Sequence, residues 1–263
     1  MRARTLHRTQ PVGSQVRKST LDSNSAQVQS DDFRFRPQAS ISRFDVLGRI
    51  VDLITDLKLP QDQFTSETEL AMLLGLPGRT PSVREALALL ARDGLVQPYP
   101  QRGYFVPRIT AEQAEEILLL RLSISKTIIT RLTSRASSPE LVVAEQLCAE
   151  LTSRGTQSFL KSETAYWNEL ARRGGFIFAV QNINTLGDQL RIFHANHPLP
   201  DEIIDVTASQ YQRVLHYITN HNSEGAIAAV QDNFQLRRNI LKRAPVAAAD
   251  SAALQSEQFA SAR

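Results

Sequence analysis

The sequence predicts a mainly α-helical protein in which a small unit of helices and a hairpin precedes an all-α helical bundle. Three observations carry this. Between residues 41 and 107, three short apolar patterns of helical spacing are followed by two β-rich runs flanking Pro100-Gln101-Arg102-Gly103. After Thr110 no β-run recurs, and long helical patterns take over. The chain's 263 residues also exceed the usual size of a single core.

The elements follow in order. Residues 1–40 are polar and lack periodicity, with Arg2, Arg4, Arg8, Arg17 and Lys18 ahead of the first acid, Asp22. They read as a disordered basic arm rather than a signal peptide, which would need an apolar core. Phe44, Leu47, Val51 and Ile54 then recur at helical spacing, with Asp45, Asp52 and Asp56 on another side, and this helix ends before Pro60. Ser66 followed three residues on by Glu69 is a capping-box pattern, and Leu70, Ala71, Leu73 and Leu74 supply the buried side of a second helix. Gly75-Leu76-Pro77-Gly78 breaks it.

A third helix is expected from about Ser82, again with Glu85 at the third position, through Leu87 and Leu90 to Gly94. Three helices with a tight turn before the last describe a helix-turn-helix, and Leu95–Tyr99 with Tyr104–Val106 describe a hairpin wing. Tyr99, Tyr104 and Phe105 read as cover for that hairpin's own face in preference to stacking on bases.

Beyond Thr110, which pairs with Gln113 in another capping box, helices are expected over 117–129, 139–153, 157–171, 177–193, 201–220 and 223–242. Ile227, Val230, Phe234 and Leu241 form a stripe on the last, where Arg237, Arg238, Lys242 and Arg243 suit the negative end of the helix dipole. A disordered tail, 245–263, completes the chain.

Composition narrows the function classes. No stretch approaches the roughly 20 apolar residues of a membrane span. The single Cys148 has no partner and reads as a core residue in a protein of the reducing cytoplasm. No phosphate loop, nucleophile elbow, paired Cys-x-x-Cys or His-Glu-x-x-His appears, so catalysis has no visible constellation and no cofactor is implied. His194 and His197 have a spacing that suits one helical face, but Pro198 and Pro200 follow at once. The net charge of +3 says little about nucleic acid. Within 41–107 seven bases meet eight acids, so a DNA-binding surface there requires charge segregated by face.

Glu67-Thr-Glu-Leu-Ala, Leu74-Gly-Leu, Arg79-Thr-Pro, Val83-Arg-Glu-Ala-Leu, Asp93-Gly-Leu-Val and Gly103-Tyr-Phe-Val, in this order, resemble the winged helix-turn-helix DNA-binding domain of the GntR family of bacterial transcriptional regulators. The helical region after Pro107 resembles, by helix number and order, the FCD effector domain of the FadR subfamily. Two departures stand out. Gln61-Asp62 replaces the usual Pro-Gly turn, and the turn into the recognition helix is about two residues longer, leaving Thr80 and Ser82 as alternative N-caps.

The resemblance implies a winged domain at 41–107, an effector and dimerisation domain at 108–244, and a homodimer bound to a double-stranded operator with an inverted repeat. Arg79, Thr80, Ser82 and Arg84 are its expected DNA contacts. Arg84 leads, because a guanidinium near the start of a recognition helix can pair bidentately with guanine. Gly103 is expected at the wing tip, where backbone approaches DNA, with Arg102 beside it as a phosphate or minor-groove contact.

Many FCD domains hold a metal ion with one Asp and three His. In those slots this sequence places Glu163, Trp167, Tyr211 and Asn233. Indole offers no lone pair, neutral phenol is a poor donor and an amide a weak one, so no metal is expected. His216, half a dozen residues from one slot, is the alternative ligand. The expected partner of the bundle is a small molecule such as an organic acid, with Arg121, Glu163, Trp167, Tyr211 and Asn233 as effector-binding candidates.

Overall fold

Side chains that close a first turn decide where several of the helices begin. In the computed structural model, which describes residues 42–135, 141–152 and 155–242, Ser42 and Asp45 form a reciprocal capping box at the start of α1 (Arg43–Thr55). Ser66 and Glu69 do the same for α2 (Glu67–Leu73), as their spacing predicts. The Thr110 and Gln113 pair exchanges its two bonds at the head of α4 (Ala111–Arg135). The basic arm, Arg243 and the tail lie outside the described residues.

Between α2 and α4 run α3 (Thr80–Arg92), β2 (Gln97–Tyr99) and β3 (Gly103–Val106). The expected start of α3 at Ser82 is corrected. Arg79 is its N-cap, Pro81 sits in its first turn, and no side chain caps it. Proline's missing N–H is no loss at a position whose amide has no intrahelical acceptor. A strand absent from the sequence reading, β1 (Gln63–Thr65), pairs antiparallel with β3, which pairs in turn with β2.

Val46, Ile50, Ile54, Leu70, Val83, Leu87, Leu90 and Val106 fill the core of this unit. Phe44 and Leu73, expected on buried faces, are exposed. α2 has only seven residues and buries Leu70 and Ala71 alone, so its apolar stripe is narrower than its composition suggests.

The bundle comprises α4, α5 (Val142–Ala149) with a 3-10 turn at Glu150–Thr152, α6 (Thr156–Arg173), α7 (Ile177–Asn196), α8 (Asp201–Thr219) and α9 (Ser223–Leu241). Cys148 is buried in its core, and burial pushes the thiol up to about 11. α7 serves both halves of the chain. Its Leu190 and Phe193 pack in the bundle with Phe234, whereas Ile192 between them joins the helix-turn-helix core. Polar contacts reinforce the seam: Gln61 Nε2 donates to the Ile192 carbonyl at 3.0 Å, and Gln189 Nε2 to the Asp93 carbonyl at 3.1 Å. Among the described residues no helix is long and apolar enough to cross a membrane.

Candidate DNA-binding face and bundle cavity

The opening turn of α3 carries Thr80, Pro81, Ser82 and Arg84, with Arg79 immediately before it. Arg79, Thr80 and Ser82 are half-buried, whereas Arg84 extends outward with a side chain 66% exposed. Its guanidinium is held by Glu67 on α2 through Nε at 2.9 and 3.0 Å and Nη2 at 2.8 Å. These hydrogen bonds, followed by smaller electrostatic contributions that include Tyr104, raise the arginine's pKa further. Glu67, read from sequence only as a dipole-complementing residue, therefore orients the leading DNA-contact candidate. No local pattern could reveal this, because the partners are seventeen residues apart.

The wing is built on an aromatic face. Phe64 packs edge-on against Tyr99 and tilted against Phe105, both at 5.3 Å between ring centres. Tyr99 and Phe105 thus cover their own sheet, as expected. Arg102 lies exposed at the hairpin turn with its guanidinium 4.2 Å from the centre of the Phe64 ring. Phe64 is three residues before Glu67, so the wing arginine and the α3 arginine are anchored on one short segment. Lys58, Arg84, Arg92 and Arg108 are each paired with an acid, whereas Arg102 meets no acid among the described residues.

The expectation for Gly103 is corrected. The turn itself comprises Pro100, Gln101 and Arg102, and Gly103 begins β3 with φ +89°. A Cβ there would lie 2.4 Å from the Thr65 carbonyl oxygen. The close backbone approach is to strand β1, and glycine is required by the sheet.

In the bundle the five effector candidates come together, with two residues that the sequence reading left elsewhere. Glu163 on α6 is fully buried. Its Oε1 accepts from the Tyr211 hydroxyl at 2.7 Å and from Arg237 Nη1 at 2.5 Å, and its Oε2 lies 3.0 Å from Arg121 Nη2. Burial alone would push this carboxyl up. The Arg237 and Arg121 guanidiniums and the Tyr211 hydroxyl outweigh that effect and hold it below its ordinary value.

Trp167 meets Tyr211 edge-on at 5.5 Å, and Tyr211 stacks on Tyr166. Asn233 is engaged by Gln210 at 2.8 Å. Arg237 was assigned to the helix terminus, but it points into the protein. Its place four residues after Asn233 was the available signal, since the two share a helical face. His194, in the last turn of α7, is the second omission. Its Nδ1 donates to the His197 carbonyl at 2.6 Å, so the two imidazoles do not converge as ligands. Burial, and then the nearby Arg237 guanidinium, push it down to about 3.

A cavity of about 20 Å³ lies beside this cluster, lined by Arg121, Trp167, Tyr211, Asn233 and Arg237. That is room for roughly one water. The metal-ion arrangement does not fit these residues: the one carboxylate is occupied by two guanidiniums and a phenol, and a divalent cation would face both arginines. His216 is on the exposed side of α8, in a separate groove with Glu145 and Gln212.

No family model matches the chain. By sequence it is 39% identical over 80 residues to an uncharacterized HTH-type transcriptional regulator in an unstable DNA locus of Streptomyces ambofaciens, covering 30% of this chain and 33% of that protein. It is 31% identical over 85 residues to the uncharacterized HTH-type transcriptional regulator YdhC of Bacillus subtilis (strain 168), covering 32% and 37%. The chain thus spans about a third of the length of these curated relatives.

By structure it is similar to E. coli McbR/YncC, with a TM-score of 0.64 at 16% identity over 76% of this chain and 97% of the other. It is also similar to a Rhodococcus sp. RHA1 protein described as a transcriptional regulator GntR, with a TM-score of 0.61 at 18% identity over 77% and 98%. At such identities the likeness is one of fold, and the chain shares with these proteins a winged helix-turn-helix followed by an all-α bundle.

Proposed function

We propose that this chain is a sequence-specific DNA-binding transcriptional regulator of the GntR type, with an FCD-like bundle as in the FadR subfamily. In this reading residues 41–107 bind a double-stranded operator, and residues 108–244 pair two copies and bind a small-molecule effector that modulates DNA affinity. The observation that carries it is the exposed Arg84 at the head of α3, fixed by Glu67 beside a wing that presents Arg102. A fixed guanidinium keeps its fork aimed at a base edge, and the wing arginine supplies phosphate or minor-groove attraction. Two such units related by a two-fold axis read an inverted repeat.

Effector coupling has a physical route in α7, whose residues 188–194 touch the buried charge cluster at one position and the helix-turn-helix at others. A change in the cavity that shifts α7 shifts both units. A second reading has one observation in its favour: a cavity this small suits a bundle that only assembles the dimer. Selection from a random duplex library with the full chain tests the DNA assignment, and an enriched inverted repeat is the expected result. Recovery of no motif would refute it. Thermal shift of the full chain against a panel of organic acids separates an effector-binding bundle from a merely assembling one.

A further inference from the structure

The buried cluster carries an uncompensated charge. Arg121, Arg237 and Glu163 are all almost wholly buried, so two fixed positive charges face one negative charge. His194 beside them is neutral at physiological pH. Donors remain unused as well: Arg121 Nη1 and the Nε and Nη2 of Arg237 are buried without a hydrogen-bond partner in the protein. The Arg121 to Glu163 contact is an ion pair that lacks hydrogen-bond alignment, so Arg121 Nη2 is also unsatisfied. Unpaired buried guanidinium donors are costly, and a surplus of one charge calls for one anion.

We infer that this cavity is a site for the carboxylate of a small monocarboxylic acid, held by Arg121 and Arg237, with the Arg237 guanidinium doing the work of a metal ion. The inference rests on the effector-binding reading of the bundle and names its chemistry. A guanidinium offers paired N–H donors to the two oxygens of a carboxylate, a match that a spherical anion cannot make. The cavity admits a head group of that size, and Leu118, Leu122, Val230 and Phe234 line it for a short apolar tail. Glu163 and Tyr211 then have a different task from the one their sequence positions imply. They orient Arg237, as a second layer of residues orients metal ligands.

Trp167 is the only tryptophan in the sequence and it lines the cavity, so its fluorescence reports on the site. The test titrates the full chain, after dialysis against EDTA, with sodium propionate exchanged mole for mole against sodium chloride, and with 1-propanol as the uncharged control. A saturable fluorescence change with propionate alone is expected, weakened about tenfold or more in Arg237→Gln. Because Arg237→Gln leaves Glu163 short of a partner and can unfold the bundle, Val230→Met, which fills the cavity and keeps all three charges, is run beside it. It is expected to abolish the response with the fold intact.

No saturable change with propionate, an equal change with propanol, a response that appears only after zinc or nickel is added, or unaltered binding in Val230→Met would each overturn the inference. Operator binding measured on the same preparation keeps the two readings apart. Its loss condemns the regulator assignment, whereas intact operator binding without a propionate response condemns only this site.

Discussion

Arg191 on α7 and Asp52 on α1 form an ion pair, Nη2 to Oδ1 at 2.6 Å, that ties the bundle to the helix-turn-helix. Arg191 is buried and also reaches Asp188 at 3.1 Å, while Lys161 approaches Asp52 from α6 at 2.8 Å. Burial works to raise the Asp52 carboxyl, but Lys161 and Arg191 hold it below its ordinary value.

Arg191→Ala should therefore destabilise the chain by about 2 kcal/mol. This is less than the loss of a fully buried partner, because Asp52 stays part-exposed and Lys161 remains. Urea unfolding followed by circular dichroism measures it. A cost within experimental error would mean that the seam is held by Ile192 and its apolar neighbours alone.

The neutral, buried His194 predicts a pH dependence of definite sign. Its folded-state value of about 3 lies below the ordinary 6.5, so between those values the unfolded chain binds a proton that the folded chain refuses. Stability is complete above the unfolded value and falls as pH drops through this window. Between pH 6.5 and 5 the loss should be about 2 kcal/mol, before Glu163, whose window lies lower, contributes. His194→Gln should flatten the slope, and an unchanged slope in that variant would assign the effect to other groups.

Gly103→Ala should cost about 1–3 kcal/mol of stability, since it puts a Cβ against the Thr65 carbonyl oxygen at a positive φ. Thermal unfolding without DNA present is the relevant measurement. A variant as stable as the parent would return Gly103 to the DNA-contact role that the sequence suggested.

Ser66→Ala and Ser82→Ala form a matched pair. Ser66 accepts from the Glu69 amide and its removal should cost about 1 kcal/mol, whereas Ser82 caps nothing and its removal should leave stability within about 0.5 kcal/mol. Equal costs in chemical denaturation would contradict the start of α3 at Thr80.

What the sequence made legible were features decided within a turn or two of helix. The Ser66–Glu69 and Thr110–Gln113 caps depend on residues three apart, and the six bundle helices depend on periodicity that survives inside each segment. Strand β1 was illegible because it is three residues long and exists only through pairing Phe64 with Phe105, forty-one positions on. Arg237 was misplaced for a related reason. Its local setting resembles a helix end that favours a base, and only a carboxylate brought in by α6 draws it inward. The gathering of Arg121, Glu163, Trp167, Tyr211 and Asn233 came from the family resemblance, and what that resemblance could not supply was the guanidinium at their centre.

The most direct measurement of the central claim is fluorescence anisotropy of the full chain on its selected inverted repeat and on a scrambled duplex of the same composition, at two salt concentrations, for the parent and Arg84→Ala. The account predicts tighter binding to the repeat, weaker binding to both duplexes at higher salt, and a loss of about 1–3 kcal/mol in the variant confined to the repeat. Equal affinity for the two duplexes, or an Arg84→Ala variant indistinguishable from the parent, would contradict it.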